Sequence, residues 1–137
     1  MQSIQRYTTF FLSLLTATFM LASVAAAETV EVKNKDGVGY YLVDGKGMTL
    51  YLFKKDSQGK SVCGAADGCL DRWPIFYGDR IETSGGVSPG AFGTITRNDG
   101  KKQTTFKGMP LYYFSNDATP GDTNGQGINT VWHIATP

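Results

Sequence analysis

Beyond residue 27 the apolar positions come in short runs broken by turn residues, which is a strand pattern, and no amphipathic helical spacing competes with it. The runs predict strands over Val30–Lys33, Gly39–Val43, Ile75–Tyr77, Phe92–Arg97, Gln103–Phe106 and Thr130–Ala135. Turn signals separate them: K-D-G at 35, D-G at 44, G-G at 85, S-P-G at 88 and N-D-G at 98. Asn98-Asp99-Gly100, between GTITR and KKQTTF, is the strongest hairpin signal in the chain.

Two further runs repeat one another. GMTLYLFKKD at 47–56 and GMPLYYFSND at 108–117 align without a gap, matching Gly47 with Gly108, Tyr51 with Tyr112, Phe53 with Phe114 and Asp56 with Asp117. Each copy then runs through a Gly-rich polar loop to a tryptophan, Trp73 in the first and Trp132 in the second. Repeat 1 spans about 38–77 and repeat 2 about 92–135. A half of that size buries too little surface to stand alone comfortably, so the two should share one domain, 28–137. In each copy Tyr and Phe fall on one face of a strand and Leu50 and Leu52, or Leu111 and Tyr113, on the other. Both faces are apolar, as in a central strand covered on both sides. The expected fold is all-β, a small sandwich or partly open barrel of about seven or eight strands built from two related repeats.

Residues 1–27 carry Arg6 as their one charge, an apolar stretch from about Phe10 to Val24 and a small-residue end at Ala25 and Ala27. They read as a secretory signal peptide cleaved before Glu28, with a site one residue earlier nearly as good. The stretch is interrupted by Ser13, Thr16 and Thr18 and is short for a membrane span, so no membrane anchor is expected after cleavage. The expected location is the bacterial periplasm or the outside of the cell. The whole chain has 13 basic and 12 acidic side chains, and losing Arg6 leaves 12 of each, a formal charge of zero. Such a balance gives no electrostatic footprint for nucleic acid.

Export makes pairing the default state of Cys63 and Cys69. Five intervening residues, two of them glycine, can bring the cysteines within disulfide reach. Spacings for a redox C-x-x-C pair, covalent haem or a zinc tetrahedron are missing.

Candidate chemistry is sparse. His133 is the sole histidine; alternation places it with Val131 away from Trp132 and Ile134, on the solvent side of a final strand. No G-x-S-x-G elbow occurs, and Lys54 stands where a phosphate loop ending in Gly59-Lys60-Ser61 needs glycine. Asn116, Asp117, Asp122, Asn124 and Gln126 gather oxygen atoms that could hold calcium. Met48, Met109 and His133 are soft or borderline donors that could hold copper. Asp56 and Asp117 fall where the motif strands end, positions at which a carboxylate commonly accepts backbone N–H groups. No catalytic residue and no cofactor is predicted; copper, calcium and haem stay open.

The two Y-x-F-x-x-D copies, Cys63, Cys69-x-x-x-Trp73-Pro74 and the loop PGDTNGQG at 120–127 resemble the bacterial secreted repeat proteins defined by a Y-x-[FWY]-x-x-D motif. The resemblance covers about 38–135 and implies an exported, often lipid-anchored protein of unknown biochemical function, with no catalytic residues. This chain lacks the lipid-attachment cysteine, so anchoring does not carry over. The expected function is a noncatalytic envelope protein binding a small ligand or another envelope protein, with Tyr51, Asp56, Tyr112, Asp117, Asp122, Trp73 and Trp132 as candidate binding residues. The alternative is an extracytoplasmic metal (copper, iron or haem) or redox accessory protein using Met48, Met109 and His133.

Overall fold

Turn chemistry and alternation translate into eight strands in the computed structural model, which describes residues 26–137. The expected leader therefore lies, except for Ala26 and Ala27, outside the described residues. In chain order the strands are β1 (Ala27–Lys35), β2 (Gly39–Asp44), β3 (Tyr51–Phe53), β4 (Arg80–Ser84), β5 (Phe92–Thr96), β6 (Lys102–Phe106), β7 (Met109–Pro110) and β8 (Trp132–Ile134). One short helix, α1 (Cys69–Arg72), precedes Trp73. Among the described residues no helix is long and apolar enough to cross a membrane.

Three small antiparallel or mixed sheets result. β1 pairs antiparallel with β2 and parallel with β4; β5, β6 and β7 form an antiparallel meander; β3 pairs antiparallel with β8. The hairpin expected at Asn98-Asp99-Gly100 connects β5 to β6. Over the described residues the fold is thus all-β and open, with no closed barrel. Three details differ from the sequence reading. The second motif copy is not a continuous strand: beyond β7 it makes only isolated bridges, from Tyr112 to Tyr51 and to Ile75. Ile75–Tyr77 forms only a single bridge, Ile75 to Tyr112, because Pro74 and Gly78 bound the segment. β4 has no counterpart in the sequence reading: its pattern of alternately exposed and half-buried residues, RIETS, is that of an edge strand with little apolar content.

The repeats are related by an approximate twofold axis, and the backbone hydrogen bonds obey it. Tyr51 N–H donates to Tyr112 O at 2.8 Å and Tyr112 N–H donates to Tyr51 O at 3.0 Å. Leu50 N–H donates to Leu42 O, and Leu111 N–H to Thr104 O, each at 3.0 Å. Ala135 N–H donates to Leu50 O at 2.8 Å, and Phe76 N–H to Leu111 O at 3.1 Å. Gly47 and Gly108 both take φ +83°, the left-handed conformation that the turn leading into each motif needs. Each motif strand therefore pairs with the other motif and with the tryptophan segment of the opposite repeat.

Apolar residues on both faces of the motif strands give two cores. One face packs Tyr51, Phe53, Tyr112 and Phe114 with Trp73, Trp132, Ile134, Tyr41, Val43 and Cys63. The other packs Leu50 and Leu111 with Val30, Leu42, Phe76, Val87, Phe106 and Ala135, and Leu52 and Tyr113 lean on it. This is the two-sided covering that the sequence predicts for the motif strands.

Candidate functional site

The motif side chains assemble at the axis between the repeats. Trp73 and Trp132 stack with ring centroids 3.8 Å apart and planes 4° from parallel. Phe53 lies on Trp132 at 4.1 Å and Phe114 on Trp73 at 4.4 Å, so four rings form one continuous pile, Phe53, Trp132, Trp73, Phe114. Tyr51 meets Trp73 edge-on at 5.4 Å and Tyr112 meets Trp132 edge-on at 5.2 Å, the orientation favoured by the ring quadrupoles.

The polar atoms cross the axis. Tyr51 Oη donates to Asp117 Oδ2 at 2.6 Å and Tyr112 Oη to Asp56 Oδ2 at 2.7 Å, so each phenol serves the carboxylate of the other repeat. A turn makes this possible: Asp56 N–H bonds back to Phe53 O and Asp117 N–H to Phe114 O, which swings each carboxylate inward. The remaining carboxylate oxygens accept backbone N–H groups, Asp56 Oδ1 from Val62 at 2.7 Å and Asp117 Oδ1 from Asn124 at 2.9 Å. Burial pushes both carboxyls above the ordinary carboxylate value despite these donors. Burial, followed by the carboxylate partner, likewise pushes both phenols up, so each stays protonated.

Beyond the phenols the two repeats part ways. In one, Gly125 N–H donates to Tyr51 Oη at 3.2 Å. A Cβ at Gly125 would lie 2.8 Å from Tyr51 Cε1 and 2.9 Å from the Trp73 ring, so the GDTNGQG loop rests directly on the aromatic core. In the other, Ser61 Oγ lies 2.5 Å from Tyr112 Oη and accepts from Arg97 Nη1 at 2.6 Å. Arg97 is buried, and its guanidinium also donates to Gln103 Oε1 at 2.6 Å, Cys63 O at 2.5 Å and the Asp99 carboxylate at 3.2 Å. A hydrogen-bonded chain thus runs from Arg97 through Ser61 and Tyr112 to Asp56.

The Arg97 and Ser61 end of this chain lines an open depression of about 650 Å³ bounded by Lys60–Ala66 and Arg97–Asp99. Its wall is the loop closed by the Cys63–Cys69 disulfide, with Cα atoms 5.3 Å apart, as the sequence predicts. Val62, 48% exposed, presents an apolar side chain at the rim.

Among the candidate binding residues, Tyr51, Trp73, Tyr112, Trp132, Asp56 and Asp117 are buried and brought together, with the phenols and carboxylates spent on the contacts above. Asp122 stands apart: it closes a turn by accepting from Thr119 and Ala118 N–H, which hold its carboxyl below the ordinary value. Of the oxygen cluster suggested for calcium, the Asp117, Asp122 and Gln126 side chains accept from the chain's own donors. Gln126 Oε1 accepts from Ile134 N–H at 2.7 Å, and Asn116 O accepts from Asn124 Nδ2 at 3.3 Å. The residues suggested for copper stand on three separate elements: Met48 in the turn after β2, Met109 at the start of β7, and His133 opposite Leu52 in β8, with Nε2 3.2 Å from Thr130 O. Sequence reasoning missed Ser61, Gln103 and above all Arg97. The available signal was parity: Arg97 follows Ile95 by two and so shares its side of the chain.

No curated protein and no solved structure matches this chain. A family described as a secreted repeat of unknown function matches it twice, at residues 32–76 and 93–136, boundaries that coincide with the two pseudo-twofold halves. With both repeats accounted for, the chain belongs to that secreted repeat family.

Proposed function

We propose that the protein is a noncatalytic exported binding module whose contact surface is the depression beside the Cys63–Cys69 loop, and that residues 1–27 are the leader that exports it to the periplasm or beyond. One observation carries the reading: this is where the repeats cease to be equivalent. The motif phenols and carboxylates satisfy one another inside the protein, whereas the first repeat's loop, anchored in the core by Cys63, borders an open concavity of about 650 Å³. Concave, partly apolar surfaces with a few fixed polar groups are where ligands and partner segments bind. Here the apolar part is Val62, Ala65 and Ala66, and the polar part is Lys60, Asn98 and Asp99 around the fixed Arg97 guanidinium.

A photo-crosslinking amino acid placed at Val62, and separately at Tyr40, tests this in the exporting host. Tyr40 is 64% exposed and lies outside the depression. The expected result is a discrete adduct from position 62 that is absent from position 40. Identical patterns from the two positions, or stoichiometric copper, iron or haem in the purified protein, would overturn the reading.

A further inference from the structure

Ligand binding in the depression leaves the aromatic axis unused, and the arrangement there has a chemistry of its own. Tyrosine and tryptophan are the side chains that give up a single electron most readily. Oxidising a phenol makes its proton strongly acidic, so the electron leaves easily only when a base within hydrogen-bond reach takes the proton at the same time. Each of the two motif phenols has such a base, Asp117 at 2.6 Å from Tyr51 and Asp56 at 2.7 Å from Tyr112. Each also lies edge-on to one member of a tryptophan pair stacked at 3.8 Å. Trp73 borders a second surface depression of about 360 Å³, together with Asp67, Gly68, Cys69 and Arg72, which gives an external oxidant a route to the stack.

We propose that Trp73, Trp132 and the two crossed Tyr–Asp pairs form a one-electron oxidation site, a sink for oxidising equivalents delivered by a high-potential one-electron oxidant outside the protein. The oxidant takes one electron from Trp73 and leaves its radical cation. Tyr51 then passes one electron to Trp73 across the 5.4 Å contact, and its phenolic proton moves to Asp117 Oδ2. Trp73 is restored, Tyr51 becomes a neutral phenoxyl radical, Asp117 becomes a neutral acid, and the net charge of the three groups is unchanged by the transfer. Gly125 N–H remains as a donor to the phenoxyl oxygen. Sharing of the positive hole with Trp132 gives Tyr112 and Asp56 the same step in the other half. A small one-electron donor such as a thiolate, itself oxidised to a thiyl radical, returns the electron while Asp117 Oδ2 gives its proton back to the phenoxyl oxygen, which restores both the phenol and the carboxylate. The burial that pushes both carboxyls up strengthens their grip on the transferred proton. Phe53 and Phe114 cap the stack at its two ends.

The test uses the full mature chain with photogenerated tris(bipyridine)ruthenium(III) as oxidant and follows the radicals by transient absorption. Wild type should show a tryptophan radical that converts to a phenoxyl radical, more slowly in D2O than in water. The Tyr51→Phe/Tyr112→Phe variant, which keeps both rings, should lose the conversion, and Tyr40→Phe should retain it. An equal rate in D2O and water for the wild-type protein, or an undiminished phenoxyl signal in the double variant, would overturn the proposal.

Discussion

The phenol of Tyr112, in the second repeat, is hydrogen-bonded to the carboxylate of Asp56, in the first, at 2.7 Å, and Tyr51 with Asp117 repeats the arrangement in reverse. The motif is therefore completed between copies and never within one. Tyr112→Phe should cost about 1–3 kcal/mol, the price of leaving a buried acceptor short of a donor. In urea unfolding, Tyr112→Phe should couple energetically to Asp56→Asn and add independently to Asp117→Asn, although Asp117 is nearer in sequence. Coupling to Asp117 instead would mean that the bonds do not cross.

The ring pile should behave as core. Phe53→Ala and Phe114→Ala each remove a ring that is less than a tenth exposed and should each cost about 3–5 kcal/mol. Domains of this size hold about 5–15 kcal/mol in total, so either variant should melt far below wild type in a calorimetric scan. Unchanged melting would show the rings to be surface groups.

Acid should separate two kinds of aspartate. Burial raises Asp56 above its ordinary 3.8, so the folded protein binds that proton more tightly than the unfolded chain does. Its ionisation opposes folding at neutral pH, and that opposition fades as pH falls through the raised value toward 3.8. Wild type thus gains, relative to Asp56→Asn, on acidification, and the stability gap between them should widen from about pH 7 to about pH 4. Asp122, held low by backbone N–H groups, contributes stability that is present above 3.8 and lost below it. The gap between wild type and Asp122→Asn should therefore close as pH falls below that value.

Oxidised protein, unfolded in denaturant, should show no reactive thiol, and reduction should expose two, from Cys63 and Cys69. Closing so short a loop is worth about 2 kcal/mol in the chain-entropy model, and reduced protein should unfold at correspondingly lower urea.

Much of this was legible in the sequence because it is local or repeated. Five of the six strand segments coincide with β1, β2, β5, β6 and β8, since alternation and turn residues act over a few positions. The two-faced covering of the motif strands followed from Leu50 and Tyr51 pointing opposite ways. β4 escaped because it pairs in parallel with β1, some 50 residues earlier, and a polar edge strand carries no periodicity strong enough to announce it. The crossing of the Tyr–Asp pairs escaped for a related reason. Two identical copies read the same whether they close on themselves or on each other, and only the antiparallel register of Tyr51 against Tyr112 decides between the two. Arg97 was hidden by its type, because a guanidinium is assumed to face water until four neighbouring oxygen acceptors are seen around it.

Reciprocal contact across a twofold, in which one residue touches its partner's second residue and the reverse, is the signature of an isologous subunit interface. The interior of this protein has that form: it is a dimer interface whose two subunits are joined by residues 77–92. A chain bearing a single copy of the repeat has no place for its phenol except against the aspartate of a second molecule, so one-copy ancestors or engineered halves would have to associate in order to fold. Joined in one chain, the two halves need not stay equal, and the loop closed by Cys63 and Cys69 in the first has no disulfide-closed counterpart in the second.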